Sequence, residues 1–380
     1  MLNISSNASD GSIRGEHGWA HQQELQADVE HPTAVRISIA IPVWNDAEWL
    51  GGAIESVLAQ SYQDWELVIG DNASEQDLGD IVARWADPRI RHYRFSTHVG
   101  ASENHNRTMA LCRYDWVQLL CADDRLRPRC VERTAQRIVD VGREARLAMV
   151  VTACRRVDTH GQPTDIVRQD RVSYRPVRMQ PISDGVYDAA AWLRANAAPG
   201  LRPWMIGSVA IKRSILSETG GFRPDMGLCH DLELTMRVAA YGQVAYIDEQ
   251  LLDYTVRGDS ITGVLVRKHL RQGTRMVDVG DAWLSTLRTH EAQRCVSAEE
   301  RKAIFGAIAR AFLRRAVLQA TTPEGHGRLS ALLDVLSAAW YSPAVLRTWR
   351  IGVALGAILA PRWVIHRATI LGHRLGLTVG

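Results

Sequence analysis

Between residues 36 and 121, runs of β-branched residues alternate with helix-forming stretches across short connections. The first run is Arg36-Ile-Ser-Ile-Ala-Ile-Pro-Val-Trp44, in which Ile37, Ile39, Ile41 and Val43 alternate with small or polar residues. That is the period of a strand. Asn45 or Asp46 can cap a helix running to about residue 60, because Trp49, Leu50, Ile54, Val57 and Leu58 fall near one helical face. Further strands are expected at 65–70, 90–95 and 116–121, with helices at 77–85 and 102–112 between them. Parallel neighbours need a crossover, and a helix supplies it. The expected fold class is therefore α/β, Rossmann-like, with a mostly parallel central sheet flanked by helices.

After Asp124 the alternation loosens. Helices are expected at 129–141, 188–196 and 231–241, strands at 147–153, 208–212 and 243–247, and a polar loop or hairpin at 158–181. From about Val266 only helical patterns remain, at 268–289, 298–320 and 328–340. Four regions follow: a disordered lead over 1–34, an α/β domain over 35–262, a helical region over 263–346 and a basic amphipathic tail over 347–380. The tail holds five arginines and no acidic residue.

Composition removes several classes of function. A net charge of +3 does not suit a chain that binds nucleic acid along its length. No run of 18 apolar residues offers a membrane span, and the lead has no apolar stretch of signal-peptide length. The six cysteines form no C-x-x-C pair, so neither a zinc site nor a disulfide scaffold is expected. They read as reduced, mostly buried thiols of a cytosolic protein.

In open α/β sheets, ligands bind beyond the carboxyl ends of the strands. Those ends carry Asn45, Asp71 and the pair Asp123-Asp124. Each could also be a cap or a turn residue. Neither G-x-G-x-x-G nor G-x-x-x-x-G-K-[ST] is present to cradle phosphate. Carboxylates at strand ends suggest another device, an Asp-held Mg²⁺ or Mn²⁺ bridging a diphosphate.

The series Ile39-Ala-Ile-Pro-Val-Trp-Asn45, Ser56-Val-Leu-Ala-Gln-Ser-Tyr-Gln-Asp-Trp-Glu66 and Asp71-Asn-Ala-Ser74 resembles the opening of family 2 glycosyltransferases, which have the GT-A fold. The resemblance continues through Asn104-His-Asn-Arg107, Leu119–Pro128, Ile206-Gly-Ser208, Gly220-Gly-Phe222, His230-Asp-Leu-Glu-Leu234 and Leu251–Ser260. It implies an inverting, nucleotide-sugar-dependent transferase with a helical C-terminal extension.

Residue by residue, the resemblance places Pro42, Asn45 and Glu48 in the loop that approaches the nucleotide, and Asp71 as the reader of its base. A carboxylate only accepts hydrogen bonds, so it suits a base edge with a ring N–H, as in uracil, thymine or guanine, and disfavours cytosine. Asn104 and Arg107 would lie beside the nucleotide, on one helical face. Asp123 matches the end of the D-x-D metal motif, with Asp124 in support, while Cys121 stands where the first aspartate belongs. Asp231 matches the catalytic base, although a helix N-cap would also explain it. His230 replaces the usual glutamate and receives no catalytic role; Glu233 faces the site or solvent. Thr255 stands in place of an arginine, and Arg257, in place of a histidine, would grip the diphosphate. Trp204, Gly207 and Ser208 would wall the acceptor side, a packed tryptophan being the alternative.

The implied donor is a UDP-, dTDP- or GDP-linked sugar. The implied acceptor is a glycan or lipid-linked hydroxyl in polysaccharide or glycoconjugate synthesis. The tail could rest on a membrane surface, making the enzyme cytoplasmic and peripheral to the inner face of the plasma membrane, or it could pack on the helical region. Two rival readings are a nucleotide-binding module that no longer catalyses, and a nucleotidyltransferase. The second lacks its basic loop, since 42–54 contains no Lys or Arg.

Overall fold

The computed structural model describes residues 35–142, 146–164, 182–197, 203–257, 279–321, 328–344 and 349–359. The lead 1–34, most of the loop 158–181, the boundary at 262 and the tail beyond 359 lie outside these residues.

The N-terminal half follows the expected alternation: β1 (Ile37–Val43), α1 (Ala47–Leu58), β2 (Trp65–Asp71), α2 (Gly79–Val82), β3 (Ile90–Arg94), α3 (Ala101–Ala110) and β4 (Trp116–Leu119). β1 pairs in parallel with β2 on one side and β4 on the other, and β2 pairs in parallel with β3. The period-2 pattern of β1 divides its side chains between two cores. Ile37, Ile39 and Ile41 join Leu50, Ile54 and Val57 of α1, while Ala40 faces the second core with Val68 and Val117. Burying each of the larger aliphatic side chains contributes about 1.5–3 kcal/mol.

The second half is less regular. It comprises β5 (Arg125–Leu126), α4 (Cys130–Val141), β6 (Leu147–Val157), β7 (Gly185–Tyr187), α5 (Ala189–Ala197), β8 (Val209–Lys212), α6 (Arg213–Thr219), α7 (His230–Ala239) and β9 (Gln243–Thr255). The sheet runs β3-β2-β1-β4-β8-β6-β9-β5, with β7 beside β9. It is parallel through β4 and mixed beyond, because β8 enters antiparallel to both β4 and β6. β9 extends past the expected 243–247 because exposed polar residues at Asp248 and Gln250 interrupt its apolar pattern without ending the strand.

One close approach sets the geometry above β2. A Cβ on Gly70 would overlap the Thr108 side chain, so α3 crosses the strand in contact with its backbone. That crossing brings Asn104 and Arg107 to the end of β2.

The helical region comprises α8 (Val279–Leu287), α9 (His290–Cys295), α10 (Ala298–Thr321), α11 (Arg328–Tyr341) and α12 (Trp349–Leu359). Trp283 and Phe312 share a core with Trp192 and Leu234, so this region packs continuously onto the α/β domain. All six cysteines are free thiols.

Candidate functional site

The carboxyl end of β1 breaks sharply. Asn45 has φ 54° and Ala73, after β2, has φ 55°. The two turns are tied together: Asn45 N–H donates to Ser74 Oγ at 3.0 Å, and Glu75 N–H donates to Asn45 Oδ1 at 2.8 Å. Asn45 thus fixes loop to loop. Pro42 sits just before, paired in register with Gly70. Asp46 occupies the N-cap position of α1 but makes no side-chain cap; its carboxylate turns elsewhere. Glu48 is placed in the first turn of α1 and is exposed.

Asp71 is fully buried at the end of β2. Its Oδ1 accepts from Ser74 N–H at 2.9 Å. Its Oδ2 has no hydrogen-bond partner among the described residues, and the half-exposed Arg94 guanidinium lies 3.8 Å away. Beside it, Arg107 Nε donates to Asn104 Oδ1 at 3.0 Å, and its Nη2 donates to Asn72 Oδ1 at 2.5 Å. The Arg107 guanidinium also covers Phe95, 3.7 Å from the ring centroid. Asn104 and Arg107 therefore do share a face, locked over the β2 end. The other face of α3 has a structural role, because Asn106 bonds both N–H and C=O of Phe222 at 2.7 and 2.8 Å. Gly221, at φ 71°, leaves room for that amide, since a Cβ there would overlap Asn106 Oδ1.

At the end of β4, Cys121, Asp123 and Asp124 place ligand atoms within 4.8 Å of one another. Asp124 is buried, and its Oδ1 accepts from Thr255 N–H at 2.9 Å. Burial, with Asp123 alongside, pushes its carboxyl well above the usual range. Burial also raises the Cys121 thiol, assisted by Asp124, Asp123, Asp231 and Asp46. Asp123 instead receives Arg257 Nε at 2.7 Å, while Arg257 Nη2 reaches Asp46 Oδ1 at 2.9 Å. Burial works against the guanidinium charge, but Asp123 and Asp46 outweigh it and hold Arg257 above its ordinary value.

Asp231 lies in the first turn of α7, with Cys229 at the cap, so the N-cap explanation does not hold. His230 packs between His105 and Phe222, with Nδ1 2.7 Å from Ser102 Oγ. Burial lowers its pKa to about 4. Glu233 faces neither site nor solvent. It is fully buried and paired with Arg237 at 2.8 and 2.9 Å.

The expected acceptor wall is largely interior. Trp204 is buried, stacked 6.2 Å from Trp192, with its indole N–H on Asn196 Oδ1 at 3.1 Å. It is the packed tryptophan of the alternative reading. Ser208 spends its hydroxyl on Met205 C=O at 2.7 Å. Of the three, Gly207 borders the acidic cluster, where a Cβ would come within 3.5 Å of Asp124 Oδ2.

Residues 38–193 match the sequence profile described as Glycosyl transferase family 2. Within its α/β domain the chain is similar to glycosyltransferase family 2. It is 30% identical over 101 residues to the succinoglycan biosynthesis protein ExoO of Rhizobium meliloti, covering 27% of this chain and 29% of that one. Its fold is that of S. aureus TarS 1–349 solved with UDP-GlcNAc, at TM-score 0.57, 14% identity, and coverage of 90% and 92%. It is also that of a Pyrobaculum calidifontis mannosyltransferase solved with GDP-Man and Mn²⁺, at TM-score 0.51, 16% identity, and coverage of 91% and 84%. The chain spans 67% of one curated relative and 18% of another.

At the end of β4, the donor set fits a hard divalent cation at one point. Asp123 offers carboxylate oxygen, which suits Mg²⁺ or Mn²⁺ shared with a diphosphate and water. Cys121, a protonated soft thiol, does not suit them, whereas Asp124, although its Oδ1 accepts Thr255 N–H, still offers carboxylate oxygen to the cluster in support. Sequence reasoning missed Asp46, Asn72 and Arg94 as site residues. Asp46 and Asn72 follow Asn45 and Asp71 directly, a signal that was present but indistinguishable from capping and turn chemistry.

Proposed function

We propose that the chain is an inverting glycosyltransferase that moves a sugar from a UDP-, dTDP- or GDP-linked donor to a hydroxyl of a glycan or lipid-linked acceptor. The observation that carries this reading is Arg257, a guanidinium kept charged between Asp46 and Asp123 where the parallel strands end. A fixed cation in that crevice is suited to a diphosphate. Asp71 supplies the base-reading acceptor, with its unpartnered Oδ2 reached by displacing the half-exposed Arg94 side chain. Asn45, Asn104 and Arg107 hold the loops around it, with Pro42 and Glu48 on the approach.

Asp231 is the general base. Its carboxylate takes the proton of the acceptor hydroxyl as that oxygen bonds to the anomeric carbon, and the nucleoside diphosphate leaves from the opposite face with the bonding electrons. Asp123 would hold Mg²⁺ or Mn²⁺, whose charge would offset that of the departing diphosphate. Gly207 borders the acceptor side. Polysaccharide or glycoconjugate synthesis at the cytoplasmic face of the plasma membrane is the setting that best suits such a donor and acceptor.

A thermal-shift panel of UDP, dTDP, GDP and CMP, each with and without Mn²⁺, tests the donor site. A shift with one diphosphate, larger with Mn²⁺ and absent in Asp71→Ala, is expected. No shift with any of them at millimolar ligand would overturn the donor site.

A further inference from the structure

Helix α11 is built inside out. Its inward face carries small or polar side chains, Ala331, Asp334, Val335 and Ala338, all buried. Its outward face carries the large apolar ones: Leu332, Leu333, Leu336 and Trp340, exposed by 39%, 50%, 58% and 83%. At 3.6 residues per turn these four fall within an arc of roughly 100°. An ordinary surface helix presents the reverse arrangement. Single exposed leucines need no explanation, but a contiguous stripe capped by an almost bare tryptophan does.

Charge identifies what meets this stripe. Residues 298–380 contain eleven lysines and arginines and four acidic residues, an excess of seven in a chain whose total is +3. The only acidic residue of α11, Asp334, is buried on its inner face, so the apolar stripe carries no negative charge. Just past the end of α11, Pro343 and Ala344 share an open cleft with Arg301, Lys302 and Phe305 at the start of α10. Leu359, at the end of α12, is 77% exposed. Apolar side chains and an interfacial tryptophan on a segment of net positive charge are the complement of an anionic bilayer surface. A second copy would bring the same positive excess against itself. No helix among the described residues is long and apolar enough to cross a membrane.

We infer that the outward face of α11, through Leu332, Leu336 and Trp340, docks the protein onto the surface of an anionic lipid bilayer. This extends the membrane setting of the proposed function from the basic tail to a defined helix face. It rests on that setting but not on the transferase chemistry, because vesicle binding is measured without donor.

The test is co-sedimentation of the full chain with vesicles of phosphatidylcholine alone and of roughly two parts phosphatidylcholine to one part phosphatidylglycerol. The full chain is expected to bind the anionic vesicles and to bind the neutral ones at least about tenfold more weakly. The combined variant Leu332→Gln, Leu336→Gln, Trp340→Gln should lose about tenfold or more of the anionic binding, with its melting temperature and nucleotide response retained. Three results would overturn the inference. The first is no binding by the unaltered chain. The second is undiminished binding by the triple variant, which would assign the contact to 360–380. The third is sedimentation of the unaltered chain as a dimer that the variant converts to monomer, which would make a second copy the occupant. A nucleotide response without vesicle binding would sink this inference alone; vesicle binding without a nucleotide response would sink the donor reading alone.

Discussion

Arg257 Nε lies 2.7 Å from Asp123 Oδ2, so the residue assigned to the diphosphate and the residue assigned to the metal hold each other directly. The same guanidinium reaches Asp46 at 2.9 Å and so joins the ends of β9, β4 and the start of α1. A divalent cation at Asp123 competes with this ion pair. Arg257→Ala should lower stability by about 1–3 kcal/mol, less than the loss of a fully buried partner, because Asp46 and Asp123 keep some access to water. Mn²⁺ should then raise the melting temperature more in the variant than in the unaltered chain, while diphosphate affinity falls. An equal Mn²⁺ shift in both would show that the guanidinium does not stand against the metal.

Asp71 can be dissected by two substitutions. Asp71→Asn keeps an oxygen to accept Ser74 N–H, so the turn and the melting temperature should persist. Its amide presents a donor where a base N–H needs an acceptor, so affinity for UDP or GDP should fall by about tenfold or more. Asp71→Ala should lose both. Isothermal titration beside a melting curve separates the two effects, and an Asn variant that binds normally would remove Asp71 from base reading.

Asp231→Asn preserves size and the first turn of α7 while abolishing the base. Turnover should fall by roughly a hundredfold or more with donor affinity unchanged. Retained turnover would place the base elsewhere; retained binding with no turnover in the unaltered chain would favour the non-catalytic module.

Much of this site was legible because β1 alternates with period 2 and β2 is a short apolar run, and the polar residues at their ends, Asn45 and Asp71, stand out against both. Spacing told only that Asn104 and Arg107 share a helical face; their place beside a nucleotide came from the resemblance. The Arg257–Asp46 contact was not legible, since it joins residues 211 positions apart and no local period encodes it. Trp204 and Ser208 sit in a motif that reads as functional, yet their polar atoms are spent on Asn196 and Met205. Glu233 follows the same pattern: two positions after Asp231 it was expected to face the site or solvent, and only tertiary packing reveals Arg237 and Ser285 as its partners. The reversal of the sheet at β8 was equally hidden, because strand direction depends on chain routing through residues with no strong pattern.

Acid should weaken the fold through the pair at the α3–α7 contact. His230 and His105 each have a folded pKa of about 4 against an ordinary 6.5, in both cases chiefly through burial, and His230 also lowers His105. The unfolded chain therefore binds more protons between these values. Stability is fully present above about pH 6.5 and declines as pH falls toward 4. The decline is on the order of 3 kcal/mol for His230, and the two histidines do not add independently. His230→Gln should flatten the dependence of the urea midpoint on pH across this window. An unchanged slope would mean that His230 is protonated in the folded protein.

Glu233 bears on how the helical region is held. Its carboxylate bonds Arg237 at 2.8 and 2.9 Å and receives Ser285 Oγ–H from α8 at 3.0 Å. Arg237 in turn donates to Thr219 and Gly221 carbonyls, fixing the loop that carries Phe222. Truncating one member of a buried pair leaves the other charge without compensation, so Glu233→Ala should cost about 3–5 kcal/mol. Ser285→Ala removes one hydrogen bond and leaves the ion pair intact, so it should cost only about 0.5–1.5 kcal/mol. If Glu233 were a site residue, its loss would reduce turnover in the surviving folded fraction. As a buried tie between α7 and α8, it should lower the melting temperature while turnover per folded molecule stays near that of the unaltered chain.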